Sequence, residues 1–170
     1  MRADREAVPN AKMLEEEGNH EARLRKFLWD NPTLASLDCL DIKELLGYNE
    51  LEIEFIPSNA YLLVNGILKL EHGDVISKHS GWTAKAMYDR RGGCGMCGHS
   101  HRLGSYYKVD DGRTLAWWEN GCLCDLSAEY VKVPNWQQGF SVIHFVKDRF
   151  FVEQIPIINH KFVYGGKLYE

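Results

Sequence analysis

Cys94-Gly95-Met96-Cys97-Gly98-His99-Ser100-His101-Arg102 is the stretch on which the fold reading turns. Cys94 to Cys97 is short and apolar, the pattern of a buried strand. Gly98 then opens a turn that carries two imidazoles two residues apart. A loop of this kind can aim both rings at neighbouring ions, and small glycines let the backbone approach closely. Just upstream, Ser80 to Arg91 has helical spacing and Gly92-Gly93 ends it. The order is therefore helix, buried strand, histidine turn.

Strand signals surround this unit. Tyr61 to Val64 and Ile67 to Leu70 flank Asn65-Gly66, a strong two-residue hairpin turn. Leu51 to Phe55 alternates apolar and charged residues, as a half-buried strand does. Asp111-Gly112 and Lys147-Asp148 mark the turns of two later hairpins. The early chain is different. Residues 1–10 read as a helix end closed by Pro9-Asn10, and Ala11 to Glu17 as an extended piece. Glu21 to Trp29 is helical, with Leu24, Phe27 and Leu28 on one face. Asn31-Pro32 starts a second helix that is expected to run to Gly47. The expected class is α+β, in a single domain spanning 1–170.

Composition narrows the function classes. The 170 residues are 45% hydrophobic and 26% charged, enough to bury a core without disulfides. All of the net charge of −4 falls in residues 1–50, and the remainder balances. No Lys/Arg-rich stripe exists to grip a nucleic-acid backbone, so a phosphate-bearing substrate would need bound metal ions to supply positive charge. No apolar run approaches the roughly 20 residues needed to cross a bilayer, and Met1 to Glu6 has no signal-peptide core. Five cysteines, an odd number with two tight pairs, suit a reducing cytoplasmic setting.

Three clusters follow expected strands: Gly18-Asn19-His20-Glu21, Leu70-Glu71-His72-Gly73 and Gly98-His99-Ser100-His101. Singly, each is also what a capped or solvated histidine would give. In this order they resemble the calcineurin-like metallophosphoesterase family over essentially the whole chain. The segment from Gly98 to Phe140, including Asn120 to Leu123 and Pro134 to Phe140, is similar to versions common in phage genomes.

The resemblance implies a four-layer α/β/β/α sandwich and a hydrolase that splits a phosphomonoester or phosphodiester with a metal-activated water. The implied cofactors are two divalent ions, manganese first, with zinc, iron or nickel as alternatives. Asn19, His72 and His99 would ligate the second metal and His101 the first. His20 would be the catalytic histidine near the leaving oxygen, and Arg102 would touch substrate phosphate. A nucleotide or nucleic acid is the implied substrate class, with no membrane partner.

The family's D-x-H and G-D-x-x-D motifs are absent from the residues before Gly18. The sandwich is therefore expected to be incomplete at its N-terminal side, and the two-metal site incomplete in this chain alone. Self-association or a complementary N-terminal fragment would answer that gap. Glu15-Glu16-Glu17 would suit an exposed sheet edge or a plain solvated segment.

The cysteines offer a rival from another class. Cys94, Cys97, Cys122 and Cys124 form two close pairs that could hold a structural zinc. The protein would then be a non-catalytic remnant or an interaction module. Cys39 is expected in the second helix, at least half buried. Trp82, Trp117, Trp118 and Trp136 are expected in the core or on a sheet face. His79 reads as a local cap, and Arg90-Arg91 as suited to a helix C-terminus.

Overall fold

A computed structural model describes residues 1–127 and 134–170. Residues 128–133, inside the segment similar to phage versions, lie outside the described residues. The chain forms two compact units, Met1–Tyr61 and Leu62–Glu170. No helix among the described residues is long and apolar enough to cross a membrane.

In the first unit, helix α1 (Arg2–Ala7) precedes strand β1 (Met13–Glu16), which pairs in parallel with β2 (Ile53–Ile56). The Arg5 guanidinium ties this together, donating from Nε to the Leu51 carbonyl at 2.8 Å and from Nη1 to the Ala11 carbonyl at 2.8 Å. Helix α2 (Glu21–Asp30) starts where the Glu21 carboxylate accepts the Gly18 N–H at 3.0 Å, using a donor that the helix start leaves over. Ala22, Tyr48 and Ile53 form its small buried core.

Three expectations for this unit are corrected. The second helix is not continuous. It breaks into α3 (Pro32–Ala35), a 3-10 turn (Asp38–Leu40) and α4 (Ile42–Leu45). Ser36 Oγ donates to the Thr33 carbonyl at 2.9 Å, Leu37 turns extended, and Asp41 is extended and accepts the Lys43 N–H at 2.8 Å. Short polar side chains have out-competed the helix for its own backbone. Cys39, on that turn, is exposed. Nor do the three glutamates form an exposed edge. Glu17 is only 2% exposed, accepting the Ser58 N–H at 3.0 Å and pairing with Arg25 at 2.7 Å. Burial raises the Glu15 carboxyl, with Glu21 adding to it.

The second unit has three layers. Its sheet contains β3 (Leu62–Val64), β4 (Leu68–Glu71), β5 (Gly95–Cys97), β6 (Gly104–Asp110) and β7 (Arg113–Glu119), in the order β3-β4-β5-β7-β6. Strands β4, β5 and β7 run parallel, and β3 and β6 close the two edges antiparallel. Asn65-Gly66 and Asp111-Gly112 have positive φ at both positions, as tight hairpin turns require. Helix α5 (Trp82–Arg91) covers one face with Ala84, Met87 and Tyr88 against Trp117 and Cys97. The hairpin β8 (Gly139–Val146) and β9 (Arg149–Pro156) covers the other, packing Ile143, Phe145, Phe150 and Val152 on Leu68, Met96, Ala116 and Trp118. A small hairpin, β10 (Phe162–Tyr164) and β11 (Lys167–Tyr169), ends the chain.

Each large apolar side chain fully buried here contributes about 1.5–3 kcal/mol of transfer free energy. Gly95 lets Trp117 lie flat across β5, since a Cβ there would stand 2.5 Å from the indole ring. Trp117 and Trp118 are buried as expected, but Trp82 is 57% exposed and packs edge-on against His79. The α5 start explains this: Thr83, Ala84, Met87 and Tyr88 are its buried positions, and Trp82 precedes that stripe.

Candidate functional site

Parallel strands end on one edge of a sheet, and loops leaving that edge are where α/β sheets gather functional groups. Here β4 ends into His72, β5 into His99, Ser100 and His101, and β7 into Asn120, Gly121 and Cys122. Backbone bonds join the three loops. Gly98 N–H donates to the His72 carbonyl at 3.0 Å, and Asn120 N–H to the Cys97 carbonyl at 2.7 Å. Gly73 is needed for the same closeness, because a Cβ on its positive-φ backbone would press on the Cys97 Cβ at 3.2 Å.

The edge is held in place by two buried carboxylates. Glu71, directly before His72, receives a two-pronged grip from Arg91: Nε to Oε1 at 3.0 Å and Nη2 to Oε2 at 2.8 Å. Glu119, at the end of β7, has 0% exposure. Its Oε1 accepts the Thr83 and Ala84 N–H groups at 3.1 and 3.2 Å, satisfying the amino end of α5. Its Oε2 accepts the Ser100 hydroxyl at 2.7 Å. Ser100 is buried, so this bond pins the middle of the histidine turn between His99 and His101, which are half-buried. His99 and His101 both take left-handed backbone, at φ 61° and 57°. For non-glycine residues such backbone costs on the order of 1–3 kcal/mol, and a well-anchored loop at a working site is where it persists.

His72 Nε2 and His99 Nδ1 stand 3.1 Å apart, with ring centroids at 5.1 Å. His101 turns to a different set. Its Nδ1 lies 3.7 Å from the Cys124 Sγ, and the ligand atoms of His101, Cys122 and Cys124 all lie within 4.8 Å of one another. Its ring also packs on Trp136 at 4.6 Å. Cys122 is buried and Cys124 exposed. Burial, with Cys124 beside it, pushes the Cys122 thiol up to about 11.

Arg102 is bound to main chain, Nε to the Asn135 carbonyl at 3.0 Å and Nη1 to the Ser77 carbonyl. It straps two loops together at this edge. Asn19 and His20 belong to the first unit, exposed just before α2, where the His20 carbonyl accepts the Arg23 N–H at 3.1 Å.

The four-cysteine zinc site is corrected. Cys94, just before β5, packs with the cluster on the hairpin face of the sheet and Cys97 with the cluster under α5, so the two thiols lie on opposite sides of the sheet. Burial first, then Glu119 and Glu71, drives the Cys97 thiol far above its usual range, the setting of an inert core thiol. Sequence reading also passed over Glu119 and Glu71. Their signal was a carboxylate closing an apolar strand, Leu115-Ala116-Trp117-Trp118-Glu119 and Leu68-Lys69-Leu70-Glu71.

No family model matches the chain, and no curated protein matches it. Among solved structures the chain is similar to Vps29 from Entamoeba histolytica. A single-substitution variant of that protein matches with a TM-score of 0.45 and 11% identity, over 76% of each chain. The wild-type Vps29 complexed with zinc matches with a TM-score of 0.43 and 14% identity, over 75% of this chain and 73% of that one. The likeness is loose and assigns no residue a role.

Proposed function

We propose that this chain is a metal-binding protein of the metallophosphoesterase type, in which His72 and His99 are two ligands of one divalent ion. The chemistry proposed for it is hydrolysis of a phosphomonoester or phosphodiester, nucleotide or nucleic acid included. The separation of the two ring nitrogens carries this reading. Metal–imidazole bonds of about 2.0–2.1 Å put two nitrogens on one ion about 2.9–3.4 Å apart, and His72 Nε2 to His99 Nδ1 is 3.1 Å. When bound, such an ion activates a water and neutralises charge on phosphoryl oxygens. The protein's own share is to hold the two rings: Arg91 on Glu71 fixes the end of β4, and Ser100 on Glu119 fixes the turn after β5.

Hydrolysis of bis-p-nitrophenyl phosphate and p-nitrophenyl phosphate with added manganese tests the activity. With a fragment carrying the D-x-H and G-D-x-x-D motifs supplied, a metal-dependent rate that falls at least 100-fold in His99→Ala is the expected result. Asn19→Ala and His20→Ala in the same assay test the ligand and leaving-group roles that the family resemblance implies for them. A second reading is a protein that binds metal without catalysis. It is favoured by one observation: among the described residues no carboxylate completes a three-ligand group with His72 and His99. Manganese bound with no turnover would select it, and no manganese bound to the wild type would overturn both.

A further inference from the structure

We infer that His101, Cys122 and Cys124 form a separate site for a thiophilic divalent ion, zinc by its chemistry. The donor set is the first argument. Two thiols and an imidazole are the ligands of zinc, whereas manganese and magnesium favour carboxylate, carbonyl and water oxygen. The spacing is the second. Zinc–sulfur bonds of about 2.3 Å and zinc–nitrogen bonds of about 2.0–2.1 Å place sulfur and nitrogen about 3.6 Å apart on a tetrahedral ion. His101 Nδ1 and Cys124 Sγ are 3.7 Å apart, and the full set lies within 4.8 Å.

The backbone, thirdly, has already brought the ligands together. They come from two loops, after β5 and after β7, and a third segment joins these loops. Gln137 N–H donates to the His101 carbonyl at 2.9 Å, and its carbonyl accepts the Cys122 N–H at 3.1 Å. Gly139 N–H then donates to the Cys122 carbonyl at 3.0 Å, and Gln138 Nε2 to the Cys124 carbonyl at 2.8 Å. Gly121 lets the segments approach, since a Cβ there would meet the Gln137 carbonyl oxygen at 2.8 Å. Neither cysteine is needed for a disulfide, as all five are free thiols. His101 takes left-handed backbone at φ 57° within this arrangement.

The site differs from the four-cysteine zinc in both membership and consequence. Cys94 and Cys97 take no part, and His101 serves this ion instead of the pair His72 and His99. Three protein ligands leave one position of a tetrahedral ion open, the pattern of a site reached by solvent or a small ligand. Cys124, the exposed member, supplies that access. Binding one dication as a bis-thiolate releases one proton from each thiol to buffer, so the ion and its ligands gain no net charge.

Cobalt(II) titration of the reduced full-length chain tests this. One equivalent with a thiolate-to-cobalt charge-transfer band is expected, displaced by zinc and resistant to excess manganese. Cys124→Ser and His101→Ala should lose the band and weaken cobalt binding at least tenfold. Cys94→Ser and His99→Ala should keep it, which separates this site from the proposed function. A cobalt spectrum without thiolate charge transfer, or an unchanged Cys124→Ser, would overturn the inference. Alkylation of the unsubstituted protein covers the case of variants that fail to fold. Zinc should shield Cys124 while leaving Cys39, also exposed, fully reactive. Equal reaction of the two with zinc present would be as damaging.

Discussion

Replacing Glu119 with Gln keeps its size but removes one acceptor oxygen from a buried group that serves three donors. An amide can accept from the α5 amino end or from Ser100, not both. Each buried donor left over costs about 1–3 kcal/mol, so urea unfolding of Glu119→Gln should show a loss of roughly that size. Ser100→Ala takes a donor from the buried carboxylate, so it should cost a similar amount, and it should also weaken metal binding at His72–His99 because it frees the turn. Tyr48, in the first unit, is 1% exposed, and burial with Glu15 and Glu21 nearby pushes its phenol up to about 12 from 10.0. The folded state thus holds this proton more tightly than the unfolded one. Its stabilisation is complete below about pH 10 and is lost as pH rises toward 12, about 2–3 kcal/mol in all. Urea titrations from pH 9 to 12 should show that extra slope in the wild type and not in Tyr48→Phe.

At the level of elements, close packing is enforced by glycines that no periodicity marks. Gly95→Ala would drive a methyl into the Trp117 ring, and overpacking of this kind costs about 1–3 kcal/mol. A lowered urea midpoint with unchanged slope is the expected result. Gly121→Ala acts elsewhere: it should disturb the joining of the loops after β5 and β7, and so weaken cobalt binding at His101, Cys122 and Cys124 while leaving the hairpins intact by far-UV circular dichroism. The hairpins were legible because Asn65-Gly66 and Asp111-Gly112 dictate their own backbone. So was α5, bounded by Gly92-Gly93. The long second helix was not, because apolar spacing over residues 32–46 hides the Ser36 and Asp41 side chains that interrupt it. Cys94 and Cys97 looked like a metal pair by spacing, but residues three apart on a strand face opposite sides.

At the scale of the molecule, the second unit sets α5, a five-stranded sheet and the β8–β9 hairpin in three layers, and three parallel strands end together. That edge explains why histidines at 72, 99 and 101, far apart in sequence, are functional candidates in a single unit. Which of them share an ion was not legible. It depends on the left-handed turn at His99 and His101 and on the segment around Gln137, both consequences of tertiary bonding. Two classes of metal ion, distinguished by oxygen- or sulfur-seeking character, are then predicted for one protein. The most direct measurement of the central claim is manganese binding by calorimetry to wild type, His72→Ala and His99→Ala, with Cys124→Ser as the control. At least a tenfold loss of affinity is expected in either histidine variant and none in Cys124→Ser. Equal manganese affinity in wild type and both histidine variants would contradict that claim.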